Sequence, residues 1–169
     1  MLFDRLKADP ILSVFIREQC DDEGLCVDID ERIEKLNIVI IKPDDFYNSL
    51  NIEKRPASPD CFILVKCQSG IDKFCLTIVE LKNTKDFDYQ NIDNKFSTCF
   101  DDFMTKRFKD YFDRDYFDIK LYLVSKVEIH KRDLGLKMKL LMNKKFSFRG
   151  KRYMIMPKMP LPVVKPCYC

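Results

Sequence analysis

The chain has 169 residues, 46% hydrophobic and 34% charged, the profile of a globular domain and not of a disordered or fibrous chain. No apolar run reaches the roughly eighteen residues that span a bilayer, and Met1-Leu2-Phe3-Asp4-Arg5 carries charge where a secretory leader needs a long apolar stretch. The net charge of +3 conceals a divide: residues 120–169 hold 13 Lys and Arg against Glu128 and Asp133 (+11), while residues 1–119 hold the other 17 against 25 acids (−8). The expectation is one domain over 1–169, without membrane association, in an intracellular compartment (cytoplasmic or nuclear). The basic segment at about 120–158 suits a polyanionic partner, because cations that neutralise phosphates release condensed counterions. A lysine-rich solvated face would give the same composition.

Taken in chain order, Pro10 followed by Ile11, Val14 and Phe15 predicts a helix over about 10–20. A polar break follows at Cys20–Gly24, then a helical stretch at about 29–36 that leads into the apolar run Ile38–Ile41. Phe46, Tyr47 and Leu50 predict a short helix after Lys42-Pro43-Asp44-Asp45, and 51–58 reads as a loop. Residues 61–67 and 74–81, rich in β-branched and aromatic side chains and separated by Gln68–Asp72, predict an antiparallel hairpin. Ile92, Phe96, Cys99, Phe100, Phe103 and Met104 then mark an amphipathic helix over about 91–109. A strand is expected over 118–129.

Beyond residue 130 the pattern is ambiguous. Leu134, Met138 and Leu141 fit a helix, whereas Leu134, Leu136, Met138 and Leu140 alternate like a strand. Phe146-Ser147-Phe148 and Tyr153–Met156 flank a hairpin tip at Arg149-Gly150-Lys151, and four prolines make 157–169 an extended tail. This order of elements predicts an α/β (α+β) domain around one sheet.

The eight cysteines are expected to be core thiols and not a disulfide framework, because Cys61, Cys67 and Cys75 sit in or beside apolar runs. There is no Cys-x-x-Cys pair and His130 is the only histidine, so zinc spacing of the usual kind is missing. Cys167-Tyr168-Cys169 leaves open a soft-metal site or a bond. The four glycines form no phosphate-cradling loop.

The chemistry concentrates in the hairpin. Asp60 stands at the entrance of its first strand, and Glu80-Leu81-Lys82 at the exit of its second. Side chains alternate along a strand, so Glu80 and Lys82 share a face, and antiparallel pairing carries Asp60 toward Glu80. Two carboxylates, with the Leu81 carbonyl as a third oxygen, suit Mg2+, for which Mn2+ can substitute. Lys82 would orient the attacking water or stabilise developing charge. The alternative is structural: Asp60 caps a loop, and Glu80 and Lys82 are a surface pair. Pro43-Asp44 is a rival Pro-Asp pair, but helical residues follow it, and its acids would serve to start that helix.

Pro59-Asp60, a hairpin and then Glu80-Leu81-Lys82 resembles the signature of the PD-(D/E)XK (restriction-endonuclease-like) nuclease superfamily, and the likeness extends over about 59–110. It implies a central mixed β-sheet flanked by helices and a metal-dependent endonuclease acting on DNA in preference to RNA. It also implies an acid from an N-terminal helix, for which Glu18 or Glu34 could serve (Glu18 being placed with the metal ligands), an accessory Gln90, and a homodimer with contacts on the 91–109 helix or the C-terminal region. The tyrosine that accompanies the glutamine in recombination-type members is missing here. Lys131, Arg132, Lys144, Lys145, Arg149, Lys151 and Arg152 are the expected nucleic-acid contacts. An RNA-cleaving enzyme or a catalytically inactive binding module are the alternatives.

Overall fold

Cys61–Lys66 and Phe74–Lys82 are apolar on both faces, so their sheet must be covered on both sides. The computed structural model, which describes residues 1–69, 72–84, 88–126 and 135–169, shows how. The strands are β1 (Ile16–Arg17), β2 (Cys20–Asp22), β3 (Leu25–Ile29), β4 (Ile38–Ile41), β5 (Cys61–Lys66), β6 (Phe74–Lys82), β7 (Asp118–Ser125), β8 (Phe146–Phe148), β9 (Lys151–Tyr153), β10 (Ile155–Lys158) and β11 (Val163–Val164). The α-helices are α1 (Leu2–Ala8), α2 (Pro43–Ser49), α3 (Tyr89–Thr98), α4 (Lys109–Phe112) and α5 (Leu136–Asn143). A π-helical segment, Cys99–Arg107, continues α3.

Six strands form a mixed sheet in the order β1-β4-β5-β6-β7-β10. β4, β5 and β6 are an antiparallel meander, β7 runs parallel to β6, and β10 runs parallel to β7. The period of two divides the side chains of β6 cleanly. Phe74, Leu76 and Ile78 pack with α1, α2, α3 and the π-helical segment on one face. Val79 and Leu81 pack with Leu25, Val27 and Val164 of a small sheet, β11-β3-β2, on the other. The expected mixed sheet with helical cover is therefore present, and its second face carries strands.

Several elements differ from the sequence expectation. The helix expected over 10–20 is a single 3-10 turn, Leu12–Phe15, followed by β1. The Asp9 carboxylate accepts from the N–H groups of Ile11 (2.9 Å) and Leu12 (2.8 Å), which starts the turn, and pairing of β1 with β4 ends it. Ile11 and Val14 are left exposed. The helix is instead α1, which buries Leu2, Phe3 and Leu6. The stretch at 29–36 is also not an α-helix. β3 extends through Ile29, the Asp30 carboxylate accepts from the Arg32 N–H at 3.0 Å in a turn, and only Lys35–Asn37 coil, as 3-10. The break at 20–24 is a hairpin whose Glu23 (φ 45°) and Gly24 (φ 78°) supply the two positive φ values of a twisted two-residue turn.

The 61–67/74–81 hairpin and the helix at 43–49 are as expected. The expected tip at Arg149-Gly150-Lys151 shortens to Arg149-Gly150, because Lys151 already pairs with Phe148. The returning strand is Lys151–Tyr153, with Ile155 onward in the main sheet. Residues 136–143 resolve as helix, with Met138 and Leu141 buried. The cysteines overturn the expectation of free core thiols: Cys20 bonds to Cys61, Cys67 to Cys169 and Cys75 to Cys167, leaving Cys26 and Cys99 free. These pairs join strands of different sheets, or the tail to the hairpin, across 41 to 102 residues, and no local pattern announces such contacts. Among the described residues no helix is long and apolar enough to cross a membrane.

Candidate active site

Strand register brings the acids together. Cys61 lies opposite Val79 and Phe62 opposite Ile78, so one further step sets Asp60 opposite Glu80, on the helical side of the sheet. Both are buried: Glu80 has no exposed surface and Asp60 has 4%. Asp60 Oδ2 accepts the Leu81 N–H at 2.6 Å, which fixes the carboxylate against β6. Leu81 thus touches the site through its N–H. Lys82 Nζ lies 3.2 Å from Glu80 Oε1, on the shared face that alternation requires. The site occupies the carboxyl end of β6, the end at which parallel α/β sheets place their ligands.

Two further residues belong to it. Lys95, on α3, donates to Glu80 Oε1 (2.8 Å) and Oε2 (3.0 Å) and stands 4.0 Å from Asp60 Oδ1. A signal for it lies in the sequence: with Ile92, Phe96 and Cys99 it completes an i, i+3, i+4, i+7 face, and a lysine on a core-facing stripe needs an acid inside. Asp44, in the first turn of α2, is the other. It starts the helix as expected, yet its Oδ1 is buried without a hydrogen-bond partner among the described residues. Burial and the Asp60 charge push its carboxyl up to about 6. Asp22, on β2 beside the tight turn, adds negative charge beside Asp60, and Asn83 tethers that tip by donating to the Glu23 carbonyl at 2.8 Å.

Burial, then the neighbouring Asp60, raises the Glu80 carboxyl from 4.5 to about 8, against the opposing pull of Lys95 and Lys82. Asp60 is raised as well, chiefly by burial. Burial alone would lower Lys95, but Glu80 and Asp60 together raise it and keep it an ammonium. For Glu80 the folded value exceeds the unfolded one. Its contribution to stability is therefore complete below about pH 4.5 and is lost as the pH rises to about 8. The replacement Lys95→Met leaves Glu80 without its main partner, and should destabilise the fold by about 3 kcal/mol near pH 8. The loss should shrink near pH 4.5, where Glu80 is protonated. Urea unfolding at the two pH values checks this; an equal loss at both would contradict the ion pair.

The remaining expected site residues lie elsewhere. Glu18 is exposed in an edge groove with Lys7, Arg17 and Lys35, and Glu34 accepts from Asn37 Nδ2 at 3.2 Å, so the third acid by the hairpin carboxylates is Asp44 instead. α1 packs against Phe74, at the opposite end of β6 from Glu80 (Phe3–Phe74 centroids 5.4 Å), and β1 stands at the sheet edge beyond β4 and β5, whereas α2 leads directly into the loop before Asp60. Gln90 donates to Asn94 Oδ1 at 3.0 Å and faces the groove between α3 and α5. Among the expected phosphate contacts, Lys144 pairs with Asp93, and Arg149 pairs with Asp113 (2.8 Å) and Asp115 (3.0 Å). Lys145, Lys151 and Arg152 are exposed, the last two on β9. Lys131, Arg132 and His130 lie outside the described residues. The apolar face of the 91–109 helix is buried in the core, with Ile92, Phe96, Phe100 and Phe103, and so is not a dimer contact.

The chain matches no protein-family model, no curated protein and no solved structure.

Proposed function

We propose that this chain is a divalent-metal-dependent endonuclease that hydrolyses phosphodiester bonds in DNA. The observation that carries the reading is the gathering of three acids, Asp44, Asp60 and Glu80, at one strand end against their mutual repulsion. Two ammoniums, Lys82 and Lys95, accompany them, so the fully ionised group keeps one net negative charge. Mg2+ fits this donor set. The ligands are hard oxygens, and the Asp44 Oδ1 atom is buried without a hydrogen-bond partner among the described residues. Asp44, Asp60 and Glu80 would hold the ion, with Mn2+ able to substitute. Bound there, it would supply Lewis acidity toward the phosphate and acidify water at the site.

The protein's own groups divide the rest of the work. Leu81 N–H holds Asp60 in one orientation. Lys82, with a quarter of its side chain exposed, is the cation a phosphate meets first, and it would donate to a non-bridging oxygen as charge builds. Lys95 offsets the buried Glu80 charge and positions that carboxylate from α3. The meander β4-β5-β6, followed by α3 and the parallel β7, agrees with the element order that the resemblance to PD-(D/E)XK nucleases implies. Exposed Lys145, Lys151 and Arg152 supply backbone contacts without sequence information. A homodimer, one site per strand, would complete a double-strand cut.

The test is side-by-side digestion of duplex DNA, single-stranded DNA and single-stranded RNA. Duplex DNA should be cut with Mg2+ or Mn2+ and spared in EDTA. RNA cut in preference would transfer the same site to RNA cleavage.

The Lys95–Glu80 contact favours a second reading, a binding module in which an internal ammonium stands permanently where a metal would. In that case Mn2+ would leave the melting temperature unchanged and no substrate would be cut.

A further inference from the structure

At the other end of the β5–β6 hairpin the tail returns to the sheet. Cys67 forms a parallel bridge with Cys167, and the Gln68 N–H donates to the Cys167 carbonyl at 2.9 Å. This backbone contact sets two sulfurs side by side, and Cys75 and Cys169 complete the group. Besides the pairs Cys67–Cys169 and Cys75–Cys167, Cys67 Sγ lies 3.0 Å from Cys167 Sγ, and Cys167 Sγ lies 3.4 Å from Cys169 Sγ. Cys167 Sγ thus has three sulfur neighbours, whereas a disulfide sulfur bonds only one. The sulfurs of Cys67, Cys167 and Cys169 lie within 4.8 Å of one another and Cys75 joins them through Cys167, so the two disulfides sit side by side in one cluster.

We propose that in the reduced chain Cys67, Cys75, Cys167 and Cys169 bind one Zn2+ as a tetrathiolate. Four ligands around one ion give every sulfur three sulfur neighbours, at about 3.8 Å for Zn–S bonds of about 2.3 Å. Reaching that shape needs the Cys67, Cys167 and Cys169 sulfurs to spread slightly and the Cys75 sulfur, now against Cys167 alone, to turn toward the other two. The environment suits a closed structural site. Cys67 and Cys167 are buried, Cys75 is half-buried and Cys169 is exposed. Binding releases the four thiol protons and leaves a doubly negative group. Lys66 lines the adjacent cleft, beside Glu34 and an Arg32 that is itself paired with Asp30. The site would anchor the segment that carries β11, and with it the second sheet, to the hairpin whose far end bears the carboxylates. The spacings Cys67-x7-Cys75 and Cys167-x-Cys169 differ from the usual two-to-four-residue gaps, which is why neither half announces zinc by itself.

The experiment is metal analysis with thiol counting on the full chain, expressed in zinc-supplemented medium and purified under a thiol reductant without chelator. Zinc at about one per chain is expected. The four cysteines should resist alkylation until a chelator or denaturant is added. Cobalt substituted for zinc should give the visible bands of tetrahedral thiolate. Cys75→Ser and Cys167→Ser should lose the metal, while Cys26→Ser keeps it. Should the two cluster variants fail to fold, the metal content and thiol protection of the unaltered chain still decide. Reduced protein with negligible zinc and four freely alkylated thiols would overturn the proposal, as would the same four sulfurs remaining paired as disulfides through the reducing purification. Neither result bears on the carboxylate site.

Discussion

Replacing Asp60 by Asn or Glu80 by Gln should lower the rate of DNA cleavage by about a thousandfold or more, the scale on which a preorganised charged group at a reacting phosphate contributes. The fold should survive, because each amide is isosteric with the acid it replaces. Glu80→Gln has a second expected consequence that separates it from simple damage. It removes a buried carboxyl held at about 8, so the fall in melting temperature between about pH 4.5 and 8 should flatten. Lys95 would then keep Asp60, 4.0 Å away, as its nearest described acid. Cleavage assays beside thermal melts over that pH range check both halves. Cutting that persists in Glu80→Gln would remove the carboxylate cluster from the chemistry.

The largest stability effect should come from Phe103→Ala. Phe103 is fully buried in the π-helical segment and stacks on Phe112 (5.5 Å between centroids, 16° between planes). Phe62, Phe108 and Phe46 surround it at 5.6, 4.9 and 6.1 Å. With no tryptophan in the chain, these rings supply much of the bulk on the helical face. Truncation opens a cavity bounded by a strand, α2 and α4, which cannot all collapse inward. A cost of about 3–5 kcal/mol follows, or roughly 10 °C in melting temperature for a chain of this size. Phe117→Ala, at a position about half exposed, should change stability by no more than about 0.5 kcal/mol. Urea unfolding of the two variants tests the contrast. A loss under about 1.5 kcal/mol at Phe103 would mean that this aromatic cluster is loosely packed.

The parts of the molecule legible in the sequence are those governed by local period and register. Alternation along 61–66 and 74–82 fixes the hairpin, its faces and the approach of Asp60 to Glu80, because a one-residue slip would expose an entire apolar face. The helix at 89–98 announces itself through Ile92 and Phe96 in the same way. Where a short element takes its form from a distant partner, the sequence is silent. Leu12–Phe15 has helical spacing, yet β1 is drawn into pairing with β4 after a single turn. Asp44 satisfies a helix-start rule completely, and only the packing of α2 above the sheet turns its free oxygen inward. The sulfur pairs are of the same kind, since Cys20 and Cys61 meet across two sheets. Lys95 does carry a local signal, because a lysine in the register of Ile92, Phe96 and Cys99 has to find an internal anion.

The most direct measurement is calorimetric titration of the chain with Mn2+ near pH 7.5, in two buffers of different ionisation enthalpy. Metal ligands must be deprotonated, and Glu80 holds its proton up to about 8. Binding of about one ion should therefore release up to about one proton, and the observed enthalpies should differ between the buffers accordingly. Asp60→Asn and Glu80→Gln should each abolish the binding isotherm, and Asp44→Asn should weaken it. No heat of binding in the unaltered chain, or an isotherm unchanged in Glu80→Gln, would contradict a metal site built from Asp44, Asp60 and Glu80.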